Sequence, residues 1–213
     1  MRLRLAGIRR ALIVAPHPDD EIIGAAGLIR RLKTIGAAVS VVIVSDGGAS
    51  HPGSRRWPRA RLVAERRRES RRALLMLGVS ARDLRCLALP DGDLPRHVAE
   101  AVRHLRRLSA RADLIVGPAA DDAHPDHRAV AAALDRLPGR ARRLSYRVWP
   151  PRRRGDVQGL TLPVPGGSAF KRLLIARHRT QLGAIRDDPA GFAIAAHELR
   201  AFAQPIERFG GAR

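Results

Sequence analysis

Apolar residues come along this chain in two rhythms. Short runs stand at 11–15, 39–44, 84–89, 113–117 and 144–148. Between them, the segments 22–35, 59–77, 96–108, 125–137 and 168–184 space their apolar residues by three or four. The short runs read as strands buried on both faces, and the longer segments as amphipathic helices. Gly36 and Gly78 stand where two of the helices should stop. Strand and helix alternate, which predicts an α/β fold with a mostly parallel sheet flanked by helices. No repeat or linker divides the chain, so residues 1–213 read as a single Rossmann-like domain. Residues 47–58 have no periodicity and read as a loop, with His51 solvated and Trp57 anchoring it or meeting a sugar face. Residues 149–167 are rich in Pro, Gly and Arg, and the apolar piece at 160–162 reads as a small edge strand or a lid. A short helix at 192–202 and a frayed end close the chain.

Two of the predicted strands end in unusual chemistry. Pro16-His17-Pro18-Asp19-Asp20-Glu21 follows the first run. Asp121-Asp122-Ala123-His124-Pro125-Asp126-His127 follows the fourth. In open α/β sheets, ligands bind beyond the carboxyl ends of the strands. Gathering three carboxyl groups beside an imidazole is costly unless a cation offsets their repulsion. A catalytic zinc takes three nitrogen or oxygen ligands and keeps one open position. His17, Asp20 and His127 could supply them, leaving Asp19 as a base for water. Helix capping explains an Asp or a Pro at a helix start, but not a histidine beside paired carboxylates twice over.

Other polar residues fall at informative places. Asp46 and Asp91 follow the second and third runs, where turn chemistry is the default and a substrate contact the alternative. In 59–77, one stripe reads Leu62, Arg66, Glu69, Ala73, Leu77. Charges on a core-facing stripe must pair or face a polar cavity. An Arg66–Glu69 ion pair and an Arg66 turned to substrate both satisfy that. In 168–184, the stripe Phe170, Leu174, His178, Gln181 turns two polar side chains inward. A structural role for His178 is the reading preferred here.

Net charge is +20, from 40 basic and 20 acidic residues. Lys33 and Lys171 are the only lysines, so arginine supplies nearly all of the positive charge. Aromatic residues are 3%, too few to interleave the arginines with stacking platforms for single strands. A solvated basic surface is favoured over an anionic substrate or lipid, and nucleic acid comes last. Cys86 is the single cysteine, which excludes an intramolecular disulfide and a cysteine-rich zinc site. No apolar run approaches the ~20 residues of a membrane helix. The basic start is followed by too short an apolar stretch for a signal peptide. These features lead to the expectation of a cytoplasmic protein, its oligomeric state left open.

Together the two motifs resemble those of the LmbE-like, or PIG-L-like, family of zinc-dependent de-N-acetylases acting on N-acetylglucosaminyl compounds. The first reads P-H-P-D-D-E at 16–21 and the second H-P-D-H at 124–127. Arg66, Glu69, Ala73, Leu77 and Gly78 match a further family pattern, and 91–94 is similar to a family D-G-x-L loop. Lys171, His178 and Gln181 match a third pattern more loosely. The resemblance implies a hydrolase that removes acetyl from an amino sugar or glycoconjugate. Zinc, or iron in its place, would lie between His17, Asp20 and His127. Asp19 would be the base, His124 the oxyanion stabiliser or acid, and Asp126 the residue orienting an imidazole. Arg66 and Asp91 would meet the substrate, and Glu21 would support the loop or helix start. Two rivals stand beside this reading. One is an amidase on another sugar conjugate. The other is a basic protein binding nucleic acid or anionic lipid, resting on charge alone.

Overall fold

The computed structural model describes residues 1–152 and 158–211. Along the chain run β1 (Arg10–Ala15), α1 (Asp20–Thr34), β2 (Ala38–Ser45), α2 (Arg59–Met76), β3 (Leu84–Leu89), α3 (Val98–Ser109) and β4 (Leu114–Pro118). Then follow α4 (Pro125–Asp135), β5 (Arg142–Tyr146), β6 (Leu160–Pro163), α5 (Gly167–Ile175), α6 (Ala196–Phe202) and β7 (Ile206–Gly211). The strands form one sheet in the order β3-β2-β1-β4-β5-β7-β6. The first five are parallel, and β7 pairs antiparallel with both β5 and β6.

The chain steps outward from β1 to β3, then returns to the other side of β1 as β4. The carboxyl ends of β1 and β4 are therefore neighbours at the point where strand order reverses. A crevice opens at such a point. Both motifs are delivered there, one by each strand. Alternate residues of β1 serve the two faces of the sheet. Ala11, Ile13 and Ala15 join one core with Leu28, Ile29 and Leu32 of α1. Leu12 and Val14 join the other with Leu105 of α3 and Val130 and Ala133 of α4. Burial on both faces explains the unbroken apolar runs.

Several expected boundaries moved, each for a physical reason. The helix expected over 168–184 stops at Ile175, and a 3-10 turn at Arg179–Gln181 follows. Glu69 of α2 accepts bonds from both the Thr180 N–H (3.0 Å) and its hydroxyl (2.6 Å), which draws the chain out of helical path. The expected frayed end is β7, a strand inside the sheet. Its inward positions are Glu207 and Phe209, and a buried glutamate hid the alternation. The piece at 160–162 is an edge strand, as one of its two readings had it. Of the stretch 149–167, residues 153–157 lie outside those described. In 96–108 the spacing of Val98, Val102, Leu105 and Leu108 reads as an inward stripe, but Leu108 is 37% exposed.

The start of α1 is held from behind. Its helical path breaks at Ala25 (φ −144°, ψ 16°). Just past the break, the Gly27 and Leu28 N–H groups donate to the two Glu207 carboxylate oxygens, at 2.8 and 2.9 Å. Lys171 Nζ donates to the same carboxylate at 2.8 Å, so the buried charge is paired. Tyr146 lies across Gly24 and donates its hydroxyl to Val14 O at 2.8 Å. A Cβ at Gly24 would overlap the Tyr146 ring. Gly24→Ala should therefore cost about 1–3 kcal/mol of stability, as overpacked cores do. A lowered urea midpoint would show it, whereas an unchanged midpoint would mean that the ring swings aside freely.

Candidate metal centre

His17 lies in the loop after β1, Asp20 opens α1, and His127 sits in the first turn of α4. His17 Nδ1 and His127 Nε2 each stand 3.1 Å from Asp20 Oδ2. The two nitrogens are 3.3 Å apart. Donors bound to a tetrahedral zinc at about 2.0–2.1 Å are separated from one another by ~3.3 Å. The three atoms thus form a triangle of the size that such an ion requires. Among the described residues, a second group of His17, His124 and Asp126 could also hold an ion. There, however, His17 Nε2 already faces the two carboxylates of Asp126 and Asp91, and His124 Nδ1 accepts the Asp126 backbone N–H.

Each imidazole of the triangle is backed by carboxylate. His17 Nε2 is 3.1 Å from Asp126 Oδ2 and 3.1 Å from Asp91 Oδ1. A proton on Nε2 satisfies them and leaves the Nδ1 lone pair toward the triangle. Asp126 is fixed in turn by the N–H groups of Gly92 (2.9 Å) and Leu94 (3.1 Å). His127 Nδ1 faces Asp122 Oδ2 at 3.3 Å. Asp122 accepts from the N–H groups of Val148 (2.8 Å), Trp149 (3.0 Å) and His124 (3.0 Å). Asp122 was passed over in the sequence. The one available sign was that it is the second of two aspartates just ahead of H-P-D-H.

The electrostatics call for positive charge at the centre of the triangle. Burial works against the Asp20 carboxylate, but His127 and His17 outweigh it and hold Asp20 far below the usual carboxylate range. Burial pushes His127 down, yet Asp20 and Asp122 bring it up to about 9. His17 is likewise raised, against burial, by Asp126, Asp20 and Asp91. A bound cation would answer the same field as these protons do.

Asp19 is adjacent but outside the triangle. Its backbone has φ 142°, a strained value for a residue other than glycine. Three contacts hold it there. Its N–H donates to Glu21 Oε2 (3.0 Å), and Arg66 Nη2 donates to Pro18 O (3.0 Å) and to Asp19 Oδ2 (3.3 Å). Burial raises the Asp19 carboxyl to about 8, with Arg66 opposing and Asp20 assisting. His124 caps α4: its Nδ1 accepts the Asp126 N–H at 3.1 Å. That bond places the proton of the neutral ring on Nε2. Burial, His17 and His127 all press His124 toward this neutral form.

A cavity of about 490 Å³ opens over these groups, with His17, Asp19, Asp20, Arg66, Asp91 and His124 in its lining. All eight residues expected to form a site therefore lie in or directly behind one cavity. Arg66 and Asp91, expected to meet substrate, also have protein partners. Arg66 Nη1 donates to Gly47 O at 2.9 Å, and Asp91 Oδ2 accepts the Ala49 N–H at 2.8 Å. The alternative Arg66–Glu69 pair is replaced by these bonds and by Glu69–Thr180. Asp46 proves to be a turn residue, accepting the Gly48 N–H (2.9 Å) and pairing with Arg59 (2.6 Å). His51 is buried, not solvated, because the 187–191 loop covers it. Trp57 stacks under Arg61 at 4.3 Å.

An open, mostly parallel sheet with paired His/Asp motifs at its switch point defines an α/β domain with a candidate metal centre. The chain belongs to the PIG-L family: the family model described as GlcNAc-PI de-N-acetylase matches residues 12–137. That span contains both motifs. Over 193 residues the chain is 28% identical to a probable N-acetyl-alpha-D-glucosaminyl L-malate deacetylase 2 of Bacillus cereus, covering 84% of this chain and 87% of that one. Among solved structures, the N,N'-diacetylchitobiose deacetylase of Pyrococcus horikoshii has a TM-score of 0.72 at 21% identity, over 97% of this chain and 84% of the other. A 4-carboxy-2-hydroxymuconate hydratase from Pseudomonas putida has a TM-score of 0.64 at 18% identity, over 97% of both chains. At such identities these two likenesses establish the fold.

His178 is fully buried, and neither ring nitrogen has a partner. Burial and Arg66 lower its pKa to about 3, against a smaller pull from Asp20. The unfolded chain then binds a proton that the folded one refuses. The His178 contribution to stability is thus complete above the unfolded pKa and falls as pH drops from about 6.5 toward 3. Replacing it by glutamine should raise stability at about pH 5.5, relative to about pH 6.5, by about 1 kcal/mol compared with wild type. Asp19 and Glu21, both raised, tilt the curve the opposite way in either protein. Equal slopes for wild type and His178→Gln would show that the folded protein accepts the proton after all.

Proposed function

We propose that the protein is a metal-dependent deacetylase that hydrolyses the acetamide of an N-acetylglucosamine-type substrate, an amino sugar or its conjugate. The observation that carries this is the His17–Asp20–His127 triangle at the floor of a cavity that also presents Asp19 and His124. The two-nitrogen, one-oxygen donor set suits zinc, with iron(II) as the alternative. When bound, the ion supplies positive charge that polarises the amide carbonyl and acidifies a water. Asp19 takes the proton of that water on its free carboxylate oxygen. The water oxygen bonds the carbonyl carbon, and Asp19 hands the proton to the amine nitrogen as the C–N bond breaks, leaving acetate and the free amine. Arg66 keeps the Asp19 carboxylate from turning away.

His124 offers its Nε2–H to the carbonyl oxygen as negative charge builds there. It does so as a neutral donor, since a second proton on Nδ1 would meet the Asp126 N–H. Asp126 and Asp91 hold His17, and Asp122 holds His127, so both rings would turn their lone pairs to an ion in the triangle. Asp91 and Arg66 remain in the wall within reach of a substrate hydroxyl. The lone cysteine and the lack of a disulfide framework suit a cytoplasmic location.

Metal content tests the triangle directly. Purified wild type should hold about one zinc or iron per chain, and His127→Ala should lose it. A full equivalent retained by the mutant would remove His127 from the ligand set. Asp122→Asn should keep the fold and weaken metal affinity by about 10–100-fold; unchanged affinity would leave Asp122 without an orienting role. Asp19→Asn should keep the metal but release acetate about 10²–10⁴-fold more slowly. Normal turnover in that variant would reject Asp19 as the base.

A further inference from the structure

A second, smaller cavity of about 40 Å³ adjoins the first turn of α1 at Ile23 and Gly24. It shares Ile23 with the cavity over the triangle, and no other lining residue. The rest of its wall comes from the end of β5, from α5, from α6 and from β7. Four of its lining residues are cations, Arg147, Arg152, Lys171 and Arg208, and one is an acid, Glu207. Glu207 already accepts from the Gly27 N–H, the Leu28 N–H and Lys171. Its charge is therefore shared among three donors, and the cations outnumber what it can offset.

Two of these cations carry donors that the protein does not meet. Lys171 is 3% exposed, and an ammonium has three N–H bonds to give. One goes to Glu207 Oε1 at 2.8 Å, and the others find no acceptor among the described residues. Arg147 donates through Nη2 to the exposed Asp121, but its Nε is buried without a partner. Buried donors are as a rule met by ordered water or by a ligand. A cavity of this size excludes a sugar or a nucleotide, and admits a few waters or one small oxyanion. Water would satisfy the donors but leave the cations facing one another. An anion does both. Lys171 belongs to α5 and Arg147 follows β5, so the donors approach from separate elements. Acceptors pointing several ways serve them better than the two coplanar oxygens of a carboxylate.

We propose that this cavity is a binding site for one small tetrahedral oxyanion of the phosphate or sulfate class, held by Lys171 and Arg147. The site is separate from the metal centre and does not depend on the reaction proposed above. The test uses the full chain loaded with zinc. Inorganic phosphate, sulfate and acetate would be titrated calorimetrically, with sodium chloride holding the ionic strength constant. Phosphate and sulfate should bind at about one site per chain and raise the melting temperature as their concentration rises. Acetate should bind about tenfold more weakly. Arg147→Gln should weaken phosphate binding by about 10–100-fold. Lys171→Met would strand Glu207, so the second variant is Ala201→Leu, at a residue in the cavity wall. It fills the cavity with every charge kept, and should abolish the binding. Arg103→Gln and Arg107→Gln, on the exposed side of α3, should leave it unchanged. That separates a built site from the general attraction of a chain with net charge +20. Phosphate bound equally well by the Arg147→Gln and Ala201→Leu proteins would overturn the proposal. So would a preference for acetate, a loss shared by the α3 variants, or a loss in His127→Ala alone, which would put the anion on the metal.

Discussion

Asp20 Oδ2 sits 3.1 Å from two imidazole nitrogens and also accepts the His17 backbone N–H at 2.9 Å. Around it are buried four more acids, Asp19, Glu21, Asp122 and Asp126, with Arg66 as the guanidinium among them. Carboxylates gathered this closely repel one another in a poorly screened interior. Shared protons and the Arg66 charge can offset part of that repulsion. A divalent cation in the His17–Asp20–His127 triangle would offset more of it at one point. Most of the local structure reads as a means of keeping these charges where one ion can satisfy them.

That requirement reaches well beyond the motifs. Neighbouring β1 and β4 bring two loops to one crevice, but loops alone would not fix donor atoms to a few tenths of an ångström. The rigidity comes from behind. Tyr146 pins Val14 and lies on Gly24, and the N–H groups of Val148 and Trp149 clamp Asp122. Glu207 and Lys171 fill the break in α1 five residues after Asp20. All of these supports from 146 onward follow the span matched by the family model, which ends at 137. The second part of the chain therefore contributes the backing, and the first part contributes the chemistry.

The same division explains what could be read from the sequence. β1, β4 and the second part of β2 are buried on both faces, and continuous apolar runs announced them, while β3 and β5 are only partly buried and carry looser apolar patterns. The motif residues were legible because no packing need explains His and Asp at two strand ends. The supports were not legible, because they break the local rules. Glu207 occupies an inward strand position, where it cancels the alternation that would have marked β7. Thr180 turns out of the helical path to Glu69, so the stripe Phe170, Leu174, His178, Gln181 ran past the true end of α5. Asp122 looks like a loop aspartate until the backbone N–H groups from the end of β5 arrive at it. Arg66 and Glu69 share a helix face, yet tertiary partners drew them apart.

Charge distribution follows from this arrangement. Among the described residues nine acidic residues are buried, namely Asp19, Asp20, Glu21, Asp46, Glu69, Asp122, Asp126, Asp188 and Glu207. Each of the nine has a polar contact inside the molecule or a place in the cavity. The outer surface is thus left with far more arginine than acid, and its basicity is partly a by-product of where the acids are needed. Positive surface charge alone does not require a nucleic-acid partner. Nor does the fold alone specify the reaction, since a hydratase shares it. The reaction has to be argued from the site. A ring of three donors about 3 Å apart, a carboxylate beside it and a neutral imidazole whose ring centroid lies 4.8–4.9 Å from those of His17 and His127 together suit the addition of water to a polarised amide.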